Sequence, residues 1–131
     1  MIVSSARFYL NGKLTIGDNT WVGHEVLIIG GPADVSIGDN CDIGPRVSLV
    51  TGSHRFGAVE GQAAGEGYSE PIYLEDGVWL GASATVLGGV TIGAGSMVAA
   101  GALVREDVSA NVVAAGVPAK VVKNVFTREP E

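Results

Sequence analysis

Leu74 to Val104 reads LEDGVWLGASATVLGGVTIGAGSMVAAGALV, and its pattern emerges when it is cut into sixes. Leu74, Leu80, Val86, Ile92, Val98 and Val104 recur at that interval. Four positions after the first five stand Val78, Ala84, Val90, Ser96 and Ala102, all small or β-branched. A helix needs apolar residues every three or four positions and a half-buried strand needs alternation, so a sustained six fits neither. It fits a chain that turns a corner after each short strand. Three hexads make one coil of a triangular prism, about 18 residues, and coils stack as parallel strands roughly 4.8 Å apart. The larger residue of each hexad fills the interior and the small one fits the corner. Gly81, Gly88, Gly89, Gly93, Gly95 and Gly101 permit backbone geometry that a Cβ obstructs. The spacing predicts an all-β fold, a left-handed parallel β-helix of hexapeptide repeats.

The same rhythm extends towards the N-terminus. Leu10 and Leu14 precede Ile16, Val22 and Ile28, with Thr20 and Val26 at the small positions. GGPADV (Gly30 to Val35) then interrupts, so that Ile37 follows Ile28 by nine, a three-residue excursion at one corner. Ile37, Ile43 and Leu49 resume the pattern, with Cys41 and Val47 between them. The next hexad start is Leu74, so one long protruding loop leaves the coil at about residues 50–71. Its sequence, TGSHRFGAVEGQAAGEGYSEP, is polar and glycine-rich, and loops beyond about 12–15 residues are usually functional or disordered. After Val104, REDVSANVVAAGVPAKVVKNV reads as a last irregular coil ending in a short strand over 120–125. One domain over 1–125 is expected, with a loose tail over 126–131.

Composition narrows the function. A hydrophobic share of 47% with 6% aromatics suits a narrow core of Val, Ile, Leu and Ala. No stretch approaches the roughly 20 apolar residues of a membrane span. MIVSSARFYLNGK lacks the basic start and apolar run of a signal peptide. A single cysteine fits a reducing compartment, so a cytoplasmic protein is expected. The net charge of −6 argues against a nucleic-acid binder. Yet Arg105, Lys120, Lys123 and Arg128 crowd the last 27 positions, a hint of a local anion site. A flat-faced prism leaves apolar area for a homo-oligomer to cover.

Two histidines carry the candidate chemistry. His54 stands where the long loop leaves the prism, and an imidazole there can take a proton and return it near neutral pH. Glu60, Glu66, Tyr68 and Glu70 are near enough in sequence to orient it or to bind a polar substrate; a plain surface histidine is the competing reading. His24 should point outward from a prism face, and an exposed structural histidine is as good a reading as a site residue. Trp79 is also outward, beside inward Leu80, where subunit packing and a groove wall are both open. Cys41 reads as a core residue, since nothing near it in sequence would activate a thiolate. Two histidines without ligand spacing give no reason to expect a metal.

Three motifs, VSLVTGSHRF, EPIYLEDGVWLGASATVLGGVTIGAGSMVAAGALV and VVAAGVPAKVV, resemble the hexapeptide-repeat O-acetyltransferases of the maltose, galactoside and nodulation-factor group. The resemblance runs from about Val22 to Val125. It implies that His54 is the general base and that an acceptor hydroxyl attacks acetyl-coenzyme A directly, without an acyl-enzyme. It implies further that Trp79 lies beside the pantetheine, that Ala82 offers a backbone N–H to the oxyanion and Ala100 backbone contacts to the pantetheine, and that Lys120 and Lys123 meet coenzyme A phosphates. Arg105 stands in for a basic residue that the group carries slightly later. The acceptor-side Asn of the group falls on His24, and Glu66 and Tyr68 are placed at the acceptor. The helical N-terminal segment of maltose-type enzymes has no counterpart here, which implies a more open site and a larger sugar. A homotrimer with sites at subunit interfaces follows from the same resemblance. Two rivals remain: an amino sugar (N-acetylation) or an amino acid hydroxyl as acceptor, and a β-helix that binds or assembles without turnover.

Overall fold

The structure, a computed structural model, describes residues 1–126, with the backbone only at 58 and 59. The tail expected to be loose, apart from Phe126, lies outside the described residues, as does Arg128. Three parallel sheets form the faces of a prism. The first stacks Arg7–Leu10, Leu27–Gly30, Ser48–Val50, Thr85–Leu87 and Leu103–Val104. The second stacks Leu14–Ile16, Val35–Ile37, Ile72–Leu74 and Thr91–Ile92. The third stacks Trp21–Val22, Asp42–Ile43, Trp79–Leu80, Met97–Val98 and Val112–Ala115, and Lys120–Asn124 closes it in antiparallel pairing.

The hexads account for the core. Leu74, Leu80, Val86, Ile92, Val98 and Val104 are all buried inside the prism, as are Val78, Ala84, Val90, Ser96 and Ala102. Cys41 is a buried free thiol, and burial raises its pKa above the ordinary value. Two of the buried polar residues, Thr20 and Ser96, are satisfied locally. The Thr20 hydroxyl donates to the Gly38 carbonyl at 2.7 Å and accepts from the Cys41 N–H. Ser96 likewise donates to the Ser109 carbonyl and accepts from the Val112 N–H. Phe8 pairs in register with inward Ile28, so the first sheet begins at Arg7.

The excursion at 50–71 is more ordered than a loop. Gly52–Val59 and Gln62–Ser69 form an antiparallel hairpin that stands off the prism. It leaves at the edge where the first sheet passes to the second, hereafter the exit edge. The Gly31–Asp34 turn occupies that edge one coil earlier, and its Ala33 N–H donates to the Ser69 hydroxyl at 3.1 Å. The two interruptions of the repeat therefore stack on each other.

Candidate active site

The residues singled out by sequence divide between two edges of the first sheet. At the entry edge, where the third sheet passes to the first, His24, Pro45, Ala82 and Ala100 stand one above another. The His24 carbonyl accepts from Arg46 N–H, that of Pro45 from Ser83 N–H and that of Ala82 from Gly101 N–H, at 2.8, 2.9 and 2.9 Å. The next residue in each turn has left-handed backbone, Glu25, Arg46, Ser83 and Gly101. The N–H groups of Ala82 and Ala100 donate to no partner among the described residues. They stay approachable because of glycines one coil below. A Cβ on Gly81 would lie 2.6 Å from the Ala100 nitrogen, and one on Gly44 would lie 3.1 Å from that of Ala82. Trp79 borders this edge from the third sheet, 51% exposed, in an outward column with Trp21, Asp42 and Met97. Trp21, at 41% exposure, is an aromatic of the same column that the sequence reading passed over.

Lys120 and Lys123 lie on the closing strand above this edge, both exposed. Lys120 reaches Glu106 across 3.8 Å. A pair that exposed contributes under about 1 kcal/mol, so a stronger anion can displace the carboxylate.

His54 occupies the other edge. It sits on the hairpin opposite Gly67, and its Nδ1 lies 2.9 Å from the Gly65 carbonyl. A carbonyl only accepts, so Nδ1 carries a proton and Nε2 is the ring nitrogen left facing away from that bond. This corrects the expectation that a neighbouring carboxylate or Tyr68 orients the histidine. Tyr68 pairs with Ser53, one position along from the His54–Gly67 pair, so its side chain leaves the strand on the side opposite His54. A register shift beyond Gly67 interrupts the alternation at Glu66. Arg55 follows the same alternation, its guanidinium 5.0 Å from the Tyr68 ring centre. Glu70 folds its carboxylate over Gly89 instead of reaching towards the ring. Arg105, grouped by sequence with Ala82 and Ala100, stands at the exit edge, in a recess of about 150 Å³ with Ser53, Tyr68 and Glu70.

Beside His54 lies an open recess of about 480 Å³ bounded by Gly30, Gly31, Pro32, Gly67 and Ser69, which Ser53 and Tyr68 also line. The interruption at GGPADV thus supplies a wall for the histidine's surroundings, which its position 20 or more residues earlier did not disclose. Beneath the hairpin, the Thr51 hydroxyl is buried without a hydrogen-bond partner among the described residues. Among the described residues no group of three or more His, Cys, Asp or Glu side chains gathers as metal ligands, and no helix is long and apolar enough to cross a membrane.

One chain therefore holds an imidazole nitrogen at the exit edge and free backbone donors at the entry edge, with the whole first sheet between them. Known proteins share this fold. The family described as bacterial transferase hexapeptide (six repeats) matches residues 71–106, and the hexapeptide repeat of succinyl-transferase matches 13–44. A hexapeptide-repeat-containing acetyltransferase of Vibrio cholerae, solved with acetyl-coenzyme A, superposes with a TM-score of 0.82 at 32% identity, over 97% of this chain and 71% of that one. The chain belongs to the hexapeptide-repeat acetyltransferase family, whose members of known structure have the left-handed β-helix expected above. More particularly, it is 38% identical to the galactoside O-acetyltransferase of Escherichia coli over 94% of its own length and 54% of that protein's. A galactoside acetyltransferase solved with coenzyme A gives a TM-score of 0.79 at 34% identity, over 95% of this chain and 64% of that one. The chain spans a little over half the length of the curated relatives it matches first.

Proposed function

We propose that the chain transfers an acetyl group from acetyl-coenzyme A to a hydroxyl of a sugar. It does so as a cytoplasmic homotrimer in which each site joins the entry edge of one prism to the exit edge of the next. The observation that carries this reading is the division of the chemistry. A proton acceptor and a set of free N–H donors stand on different edges of one chain, and neither edge can act alone. A repeated edge-to-edge contact is heterologous and closes into a ring. Each first sheet then faces the centre of the ring, where its outward Ile29, Val50, Leu87 and Leu103 find cover.

In such a site His54 Nε2 takes the proton of the acceptor hydroxyl while its oxygen attacks the thioester carbon. The Ala82 N–H of the neighbouring chain holds the oxyanion, and the C–S bond breaks to release coenzyme A, whose sulfur recovers the proton from the imidazolium. Ala100 and Trp79 flank the pantetheine, and Lys120 and Lys123 meet the phosphates. Four coil steps at about 4.8 Å put roughly 19 Å between His24 and the closing strand, the reach an extended coenzyme arm requires. The Vibrio cholerae relative solved with acetyl-coenzyme A, and the galactoside acetyltransferase solved with coenzyme A, support the donor; the galactoside O-acetyltransferase relatives support the acceptor.

The test is thermal denaturation of the purified chain with and without acetyl-coenzyme A, followed by transfer to a panel of sugars. Binding at 100 times Kd stabilises the folded chain by about 2.7 kcal/mol. An ester product, cleaved by mild base, identifies a hydroxyl acceptor, whereas an amide that survives identifies an amine. No shift at millimolar donor would overturn the transferase reading in favour of a binding scaffold.

A further inference from the structure

The entry edge carries a recess of its own that the proposed transfer leaves unused. It lies at the N-terminal foot of that edge, about 480 Å³ in volume, bounded by Ser5, Arg7, Glu25, Val26 and Leu27. Arg7 opens the first strand and Leu27 pairs with it one coil up. Glu25 occupies the turn with a φ of 55°, its N–H donating to the Ser5 hydroxyl oxygen at 3.1 Å. Arg7 and Glu25 are both exposed on this one space, yet they do not pair with each other; among the described residues the ion pair is that of Lys120 with Glu106. Guanidinium donors and carboxylate acceptors thus face the recess without neutralising one another. An anionic ligand would meet Glu25 and a cationic one Arg7. A polyol, whose every hydroxyl both donates and accepts, satisfies the two together, and Leu27 offers an apolar surface to a ring face.

We infer that this recess binds a neutral saccharide unit of the acceptor, next along the chain from the unit that is acylated. The inference rests on the proposed assembly, because only a neighbouring chain can bring an exit edge to this entry edge. The hairpin with His54 leaves from the coil of Ser48–Val50, and the recess spans the coils of Arg7 and Leu27. That is one or two steps, about 5–10 Å, towards the N-terminal end and away from the coenzyme side. The acceptor is then an oligosaccharide or longer glycan that lies along the prism axis.

The experiment compares acceptors of increasing length in two series, glucose to maltotriose and galactose to its β-1,4-linked trisaccharide. The ratio of trisaccharide to monosaccharide kcat/KM is measured for wild type, Arg7→Ala and Glu25→Gln, and trisaccharide binding is titrated by calorimetry in the same preparations. Hydrogen bonds to charged groups make the expected wild-type ratio at least about tenfold in one series, falling to near one in both variants, with binding weakened to match. A ratio or an affinity that survives both substitutions overturns the subsite and leaves the transfer reading intact. Failure of wild type to acetylate or bind any sugar of either series overturns the transfer reading, and the subsite with it.

Discussion

Along the entry edge of the first sheet the chain makes nearly the same turn in every coil, and along the exit edge the turns differ from coil to coil. The entry turns stack His24, Pro45, Ala82 and Ala100 and repeat a left-handed residue at Glu25, Arg46, Ser83 and Gly101. The exit turns run from Asn11–Lys13 through Gly31–Asp34 to a complete hairpin. The difference teaches where each kind of chemistry can be placed. Where the regular stack carries small residues, at Ala82 and Ala100, it presents the backbone and holds their N–H groups in fixed geometry because no side chain obstructs them. Interruptions present side chains, because residues outside the coil are released from its packing. His54, Tyr68 and Ser69 all belong to an interruption, whereas what Ala82 and Ala100 present is a backbone N–H, which any residue but proline has.

The sharpest way to break this contrast is to remove one N–H from the regular edge. Pro45 already occupies the position below Ala82, so Ala82→Pro introduces a ring that the corner accommodates and deletes a donor the fold does not use. kcat is expected to fall about 10²–10³-fold with a thermal midpoint close to wild type. A loss of folding together with activity would show that the N–H is structural after all. A smaller effect is expected at the top of the same edge. Lys120→Ala and Lys123→Ala should each raise the KM for acetyl-coenzyme A several-fold while leaving kcat nearly constant, and the increase should shrink in high salt. If kcat falls instead, these lysines act nearer the reacting atoms than the closing strand suggests.

The smallest effect concerns the core that both edges share. Burial holds the Cys41 thiol above its ordinary pKa of 9.0, so the folded state keeps a proton that the unfolded chain gives up. This contribution is complete below that value and is lost as pH rises through the higher folded pKa. Thiol alkylation at pH 8.5 should be slow in the native chain and fast in denaturant, and equal rates would place Cys41 outside the core.

The contrast also explains what the sequence disclosed. Inward hexad positions are read from period alone, since each large residue has one place to go; Ile43, Leu80 and Ile92 are all fully buried. The outward course of Trp79 followed from the same period. The hairpin was not legible, because its strands pair by backbone and expose both faces, so no apolar alternation marks Gly52–Val59 or Gln62–Ser69. For the same reason nothing announced that Gly65 would hold His54. The separation of Arg105 from Ala100 was hidden too: five residues along this chain cross one whole face from entry edge to exit edge. Proximity in sequence is a poor guide wherever a coil turns a corner every six residues.

The central claim is that each site takes its base from one chain and its backbone donors from the next. Co-expression of His54→Ala and Ala82→Pro chains tests it directly. Each variant alone should be nearly inactive, the first through a loss of about 10²–10⁴-fold in kcat/KM. In randomly mixed trimers about a quarter of the sites join an intact exit edge to an intact entry edge, and activity per site should recover to that fraction. Activity no higher than the mean of the two parents would contradict the account, because it would mean that both halves of the site come from the same chain.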